Sequence, residues 1–145
     1  MRTSFELIDE SGNDERIREL GEFFLALQAE GGVDHRLAVA LAPRWLRDAF
    51  APERSSDEGE AWLAQWRTAA DKLSFERESG WTAANWFHWF SPNNEFWKLG
   101  GVRIDVGGHR LVVDLDHVDD PIPVEVLRWL ALVGNLQVGS MVRVQ

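Results

Sequence analysis

A chain of 145 residues, 45% hydrophobic and 27% charged, has the size and composition of one folded domain spanning 1–145, which excludes wholesale disorder, and no run of about 20 apolar residues is present to span a bilayer. Twenty-four acidic side chains against fifteen basic ones leave a net charge of -9, which repels phosphate backbones and anionic lipid; neither nucleic acid nor a membrane is expected as a partner, whereas a basic protein or a cationic ligand is drawn in. The absence of cysteine removes disulfides, thiolate nucleophiles and cysteine metal sites, and with no apolar run behind Arg2 to make a secretory signal, a cytoplasmic location is expected.

The first half reads as helices. Behind Asn13 or Asp14 as cap, Ile17, Leu20, Phe23, Phe24 and Leu27 recur at helical spacing with Glu15, Glu19 and Glu22 on the other side, and Gly31-Gly32 is the stop. Asp34 caps a second helix through Leu37 and Leu41, and Pro43 forces a kink or restart before Trp45, Leu46, Ala49 and Phe50. The stretch 51–59 reads as a loop. Ser56 then precedes a helix with Trp62, Trp66, Ala69 and Leu73 as its apolar stripe.

Between 81 and 97, WTAANWFHWFSPNNEFW holds seven aromatic residues and a histidine. Thr82 is a suitable cap for a short helix ending near Ser91. At 100° per residue Ala83, Trp86, Phe87, Trp89 and Phe90 fall within an arc of roughly 160°, the stripe of a core-facing helix, while Asn85 and His88 fall on the opposite side. Trp81 and Trp97 lie outside the helix among Gly, Ser, Pro and Asn, so these two indoles are expected at the surface. With Asn85, His88, Asn93 and Asn94 they form the candidate binding residues.

The second half changes period. In GVRIDVGGHRLVVDL, Gly107-Gly108 closes a hairpin over 102–115 that pairs Val106 with His109, Asp105 with Arg110, Ile104 with Leu111 and Arg103 with Val112. Val102, Ile104, Leu111, Val113 and Leu115 share the apolar face; Arg103, Asp105, Arg110, Asp114 and Asp116 share a wet one. A helix from Val124 to Gly134-Asn135 follows, and LQVGSMVRV supplies a last strand with Gly139 as a bulge. The expected fold is α+β, N-terminal helices packed on one face of a small antiparallel sheet that contains the hairpin, followed by a helix and a last strand.

Chemistry-bearing motifs are sparse. DLDHVDDP, from Asp114 to Pro121, has ligand types suited to a divalent cation but matches no metal-loop spacing, and reads as a solvated turn. His35, His109 and His117 are expected at the surface. No G-x-S-x-G elbow or phosphate-binding glycine loop is present, and Glu125 and Arg128 are spaced to pair on the surface of the later helix. No catalytic residue, metal or cofactor is assigned. The expected function is that of a non-enzymatic module that binds another protein, a basic one favoured, through an aromatic, acidic surface. The alternatives are a small-molecule-binding or metal-dependent enzyme with its site near 81–97, using His88 with Asn85, and a homodimer joined through the indole-rich face.

Overall fold

The computed structural model describes residues 1–12, 14–30, 34–105, 107 and 109–144. Asn13, the Gly31-Gly32 stop and the Val106 and Gly108 positions of the hairpin turn therefore lie outside the described residues.

The fold is α+β, and its first element is a strand rather than a helix. β1 (Arg2–Ile8) alternates Thr3, Phe5 and Leu7 toward the core with Arg2, Ser4 and Glu6 toward the other face. Six helices follow: α1 (Glu15–Glu30), α2 (His35–Leu41), α3 (Arg44–Arg47), α4 (Ser56–Thr68), α5 (Lys72–Ser79) and α6 (Ala83–His88). The chain then forms β2 (Lys98–Asp105), β3 (Arg110–Asp116), α7 (Glu125–Val133) and β4 (Gln137–Val144). The sheet is antiparallel with order β2-β3-β1-β4, so the first strand lies inside it and the last at an edge.

Local chemistry accounts for the boundaries. Asp14 opens α1, its carbonyl accepting the Arg18 N–H, while its carboxylate meets His109 Nδ1 from the hairpin. Asp34 accepts from Arg36 N and caps α2, as its position predicts, and Pro43 starts α3. α4 begins one residue early, because Ser55 and Glu58 form a reciprocal capping box that leaves only 51–55 as loop. The predicted stripe through Leu73 belongs to two helices. Ala69 turns extended, and Asp71 caps α5 by accepting from Ser74 N.

The hairpin register holds: Asp105 faces Arg110, Ile104 faces Leu111 and Arg103 faces Val112, with one extra residue at Gly100. β4 shifts register against β1 between Phe5 and Leu7, opposite Gly139 and Ser140, where the bulge is expected. On the inner face Leu111, Val113, Leu115, Phe5 and Leu7 are buried beneath α1, whose Leu20, Phe23 and Phe24 meet them in one cluster. Gly21 lets α1 approach closely, since a Cβ there would lie 2.3 Å from Ile104 Cδ1. α7 is closed by Gly134, with Asn135 in the left-handed region at φ 54°.

The outer face departs from the expectation of a wet surface at one point. Asp114 is buried, accepting from Ser4 Oγ at 2.6 Å and from Arg103 Nη2 at 3.0 Å, with Arg2 3.7 Å away. The cause is β1, which lies beside β3 and contributes Ser4 and Arg2 over the aspartate. Arg2 also holds Asp116, lowering that carboxyl below its usual range, and Arg110 donates to Asp105 at 2.9 Å.

Candidate functional site

The segment 81–97 is built from the inside outward. Thr82 Oγ1 accepts the Asn85 N–H at 3.2 Å and starts α6. Trp86 is fully enclosed, donating from Nε1 to the Val126 carbonyl at 3.1 Å, and Phe23, Phe50, Phe87 and Phe90 surround it with ring centroids 4.6–6.1 Å away. Rings in such offset and edge-on contacts hold one another rigidly. Ala83, Trp86 and Phe87 of the predicted stripe are thus core, whereas the helix ends at His88, short of the expected Ser91, and leaves Trp89 and Phe90 half-buried.

The two flanking indoles are a correction. Trp81 is 2% exposed and Trp97 1% exposed. Trp97 donates from Nε1 to the Pro123 carbonyl at 2.7 Å and lies 6.3 Å behind Trp89. Trp81 sits edge-on against both Trp62 and Trp66, which stack on each other. Their polar flanks misled the reading because those residues fold the chain back on itself. Asn94, also buried, donates to the Trp89 carbonyl at 2.7 Å and accepts the Phe96 N–H at 2.9 Å. Asn94 is a loop staple rather than a surface contact.

The result of that staple is a surface feature that the sequence reading missed. Phe96, 57% exposed, is laid on Trp89 at 5.8 Å and 27° between planes. Trp89 is half-buried and His88 beside it is exposed. Two shallow clefts share His88 and Trp89: one of about 250 Å³ bounded by Asn93, Glu95 and Phe96, the other of about 330 Å³ bounded by Leu63, Trp66 and Asn85 with Trp81 at its floor. Of the predicted residues, Asn85, His88 and Asn93 are brought to these clefts as surface groups; Trp81, Asn94 and Trp97 support them from beneath. The signal for Phe96 was an aromatic directly behind the polar run NNE, next to Trp97.

The acidic run gives no gathered ligands. Among the described residues no three His, Asp or Glu side chains could hold one metal ion. His117, expected at the surface, is buried: its Nδ1 lies 2.9 Å from the Asp119 carbonyl and its Nε2 2.8 Å from Thr3 Oγ1. A carbonyl only accepts, so Nδ1 donates to it, and Nε2 is left to the Thr3 hydroxyl. The ring fastens the end of β3 to the start of β1.

A second arrangement borders the first, and sequence distance concealed it. Glu76 of α5 is 1% exposed and accepts from Trp66 Nε1 at 2.9 Å. Trp81 Nε1, buried without a partner of regular geometry, faces the same carboxyl. Burial pushes Glu76 up to about 7, against the two indole N–H groups, and the nearby charge of Glu125 adds to the rise. Glu125 does not form the surface pair with Arg128 that their spacing allows. It turns inward, and its Oε2 is enclosed without a hydrogen-bond partner. A cleft of about 510 Å³ lies over this pair, edged by Asp71 and Lys72 from α5 and by Arg128 from α7.

No protein-family model, curated protein or solved structure matches the chain. Among the described residues no helix is long and apolar enough to cross a membrane.

Proposed function

We propose that this protein works by binding another protein, a basic one, through the ridge formed by His88, Trp89 and Phe96. The observation that carries the reading is Phe96, a large ring 57% exposed and stacked on Trp89 above a sealed aromatic layer. Rigid aromatic anchors over a packed base are the kind of group that dominates binding energy at protein interfaces. Glu95 on the rim and the net charge of -9 favour a cationic partner.

The test is capture of partners from the source cell with the wild-type chain and with Phe96→Ala and His88→Ala, since Trp81 and Trp97 are buried and their loss would damage the fold. A basic protein recovered by the wild type should fall at least about tenfold with either variant, and should weaken as salt rises from about 0.05 to 0.5 M. Equal recovery by wild type and variants would remove the ridge as the contact surface, and recovery insensitive to salt would remove the charge argument.

A further inference from the structure

We propose that the cleft between α5 and α7 binds a free α-amino acid, its ammonium held by Glu76 and Glu125 and its carboxylate by Arg128 and Lys72.

The cleft brings two acids and two bases together without pairing them. No ion pair among the described residues joins Glu76 or Glu125 to Lys72 or Arg128, or Arg128 to any other group; Lys72 instead donates to the Arg67 carbonyl at 3.3 Å and lies over the Trp66 ring. The remaining acid at the rim, Asp71, is occupied as the cap of α5, accepting from Ser74 N and Ser74 Oγ. α5 contributes Glu76 and Lys72 and α7 contributes Glu125 and Arg128, so each wall offers one carboxyl and one cation, a lining that suits a ligand carrying both charges. A simple cation would meet Lys72 and Arg128 as repulsion, and a simple anion would meet the carboxyls.

Beyond the balance of charges, one buried polar atom of the cleft lacks a partner. Glu125 Oε2 is enclosed and unbonded. A buried polar group left unsatisfied costs on the order of 1–3 kcal/mol, so such atoms are rare unless something else completes them. An ammonium donates three hydrogen bonds and can serve both carboxyls at once. The cleft, about 510 Å³, has room for a small molecule of this kind, and Trp66 backs Glu76 by donating to it at 2.9 Å.

Binding of an ammonium favours the ionised form of Glu76, which is partly protonated near neutral pH, so the ligand should displace a proton. The groups facing that carboxyl are Trp66 from α4, Lys72 from α5, Glu125 from α7 and Trp81.

The experiment titrates the whole protein with the free L-amino acids, each to about 10 mM, with ethylamine and propionate as single-charge controls, following melting temperature and tryptophan fluorescence. At least one amino acid should give a saturable shift, with either control weaker by about tenfold or more. Arg128→Ala, at an exposed position, should lower that affinity about tenfold with the melting temperature of the free protein unchanged, and Glu125→Gln should weaken it similarly. Calorimetry in two buffers of different ionisation heat should show a fraction of a proton released per ligand near pH 7, a release that disappears in Glu76→Gln. A flat response to every amino acid overturns the proposal. So does ethylamine binding as tightly as the best amino acid, or full affinity in Arg128→Ala.

Discussion

Glu76 is the residue whose chemistry most directly reaches stability. Its carboxyl stands at about 7 in the folded protein against 4.5 when unfolded, so well below pH 4.5 it is protonated in both states and contributes no pH dependence. As pH rises from 4.5 toward 7 the unfolded chain ionises first, and folding loses about 3 kcal/mol over that window before levelling off. Glu76→Gln keeps an acceptor for Trp66 Nε1 and removes the titration. The variant should be more stable than wild type at pH 8, by up to about 3 kcal/mol, and no more stable at pH 4, as read from urea midpoints. A variant less stable at pH 8 would show that the ionised carboxylate is favoured where it lies. Two neighbours in sequence give a second contrast. Trp97→Ala should cost about 3–5 kcal/mol, whereas Phe96→Ala should stay within about 0.5 kcal/mol of wild type, because their exposures are 1% and 57%. Equal losses would contradict the fold-back at Asn94. Single residues were the least legible level of the sequence: polar flanks signal a loop, but not whether the loop closes over the indoles beside it. Glu76 and Glu125 are 49 positions apart, and only the packing of α5 on α7 relates them.

At the scale of elements, α4 depends on a cap that is local enough to test alone. Ser55→Ala removes one half of the capping box with Glu58 and should cost about 1 kcal/mol, visible as a lower urea midpoint with an unchanged slope. No change would mean that packing of Trp62 and Trp66 fixes the helix start without it. The hairpin, α7 and the bulge in β4 were readable because alternation, glycine pairs and a continuous apolar helix face each leave a short-range trace. The break between α4 and α5 was not. Trp62, Trp66, Ala69 and Leu73 keep one helical period across it, and only the cap at Asp71 marks the restart. β1 was overlooked for a different reason. Thr3, Phe5 and Leu7 alternate correctly, but a single strand with no turn signal beside it gives no hint of the partner that will stabilise it.

For the whole molecule, charge and the exposed edge work against each other. β4 borders the sheet and exposes Val138, Met141, Val142 and Val144, and a bare apolar edge is a template for association unless repulsion prevents it. The net charge of -9 supplies that repulsion near pH 7 and vanishes near pH 4.8. Light scattering should therefore rise as pH approaches 4.8, and Val142→Lys, placing a cation on the edge, should reduce the rise. Scattering unchanged by that substitution would place the contact elsewhere.

The seating of the opening strand between β3 and β4 ties residues 2–8 to partners more than a hundred positions later. While the ribosome works, those first residues have no companion until 110–116 emerge, and their second side stays open until 137–144 have left the exit tunnel. The sheet therefore cannot knit fully until its last strand has been made, and removal of 137–144 would turn β1 from an inner strand into an edge.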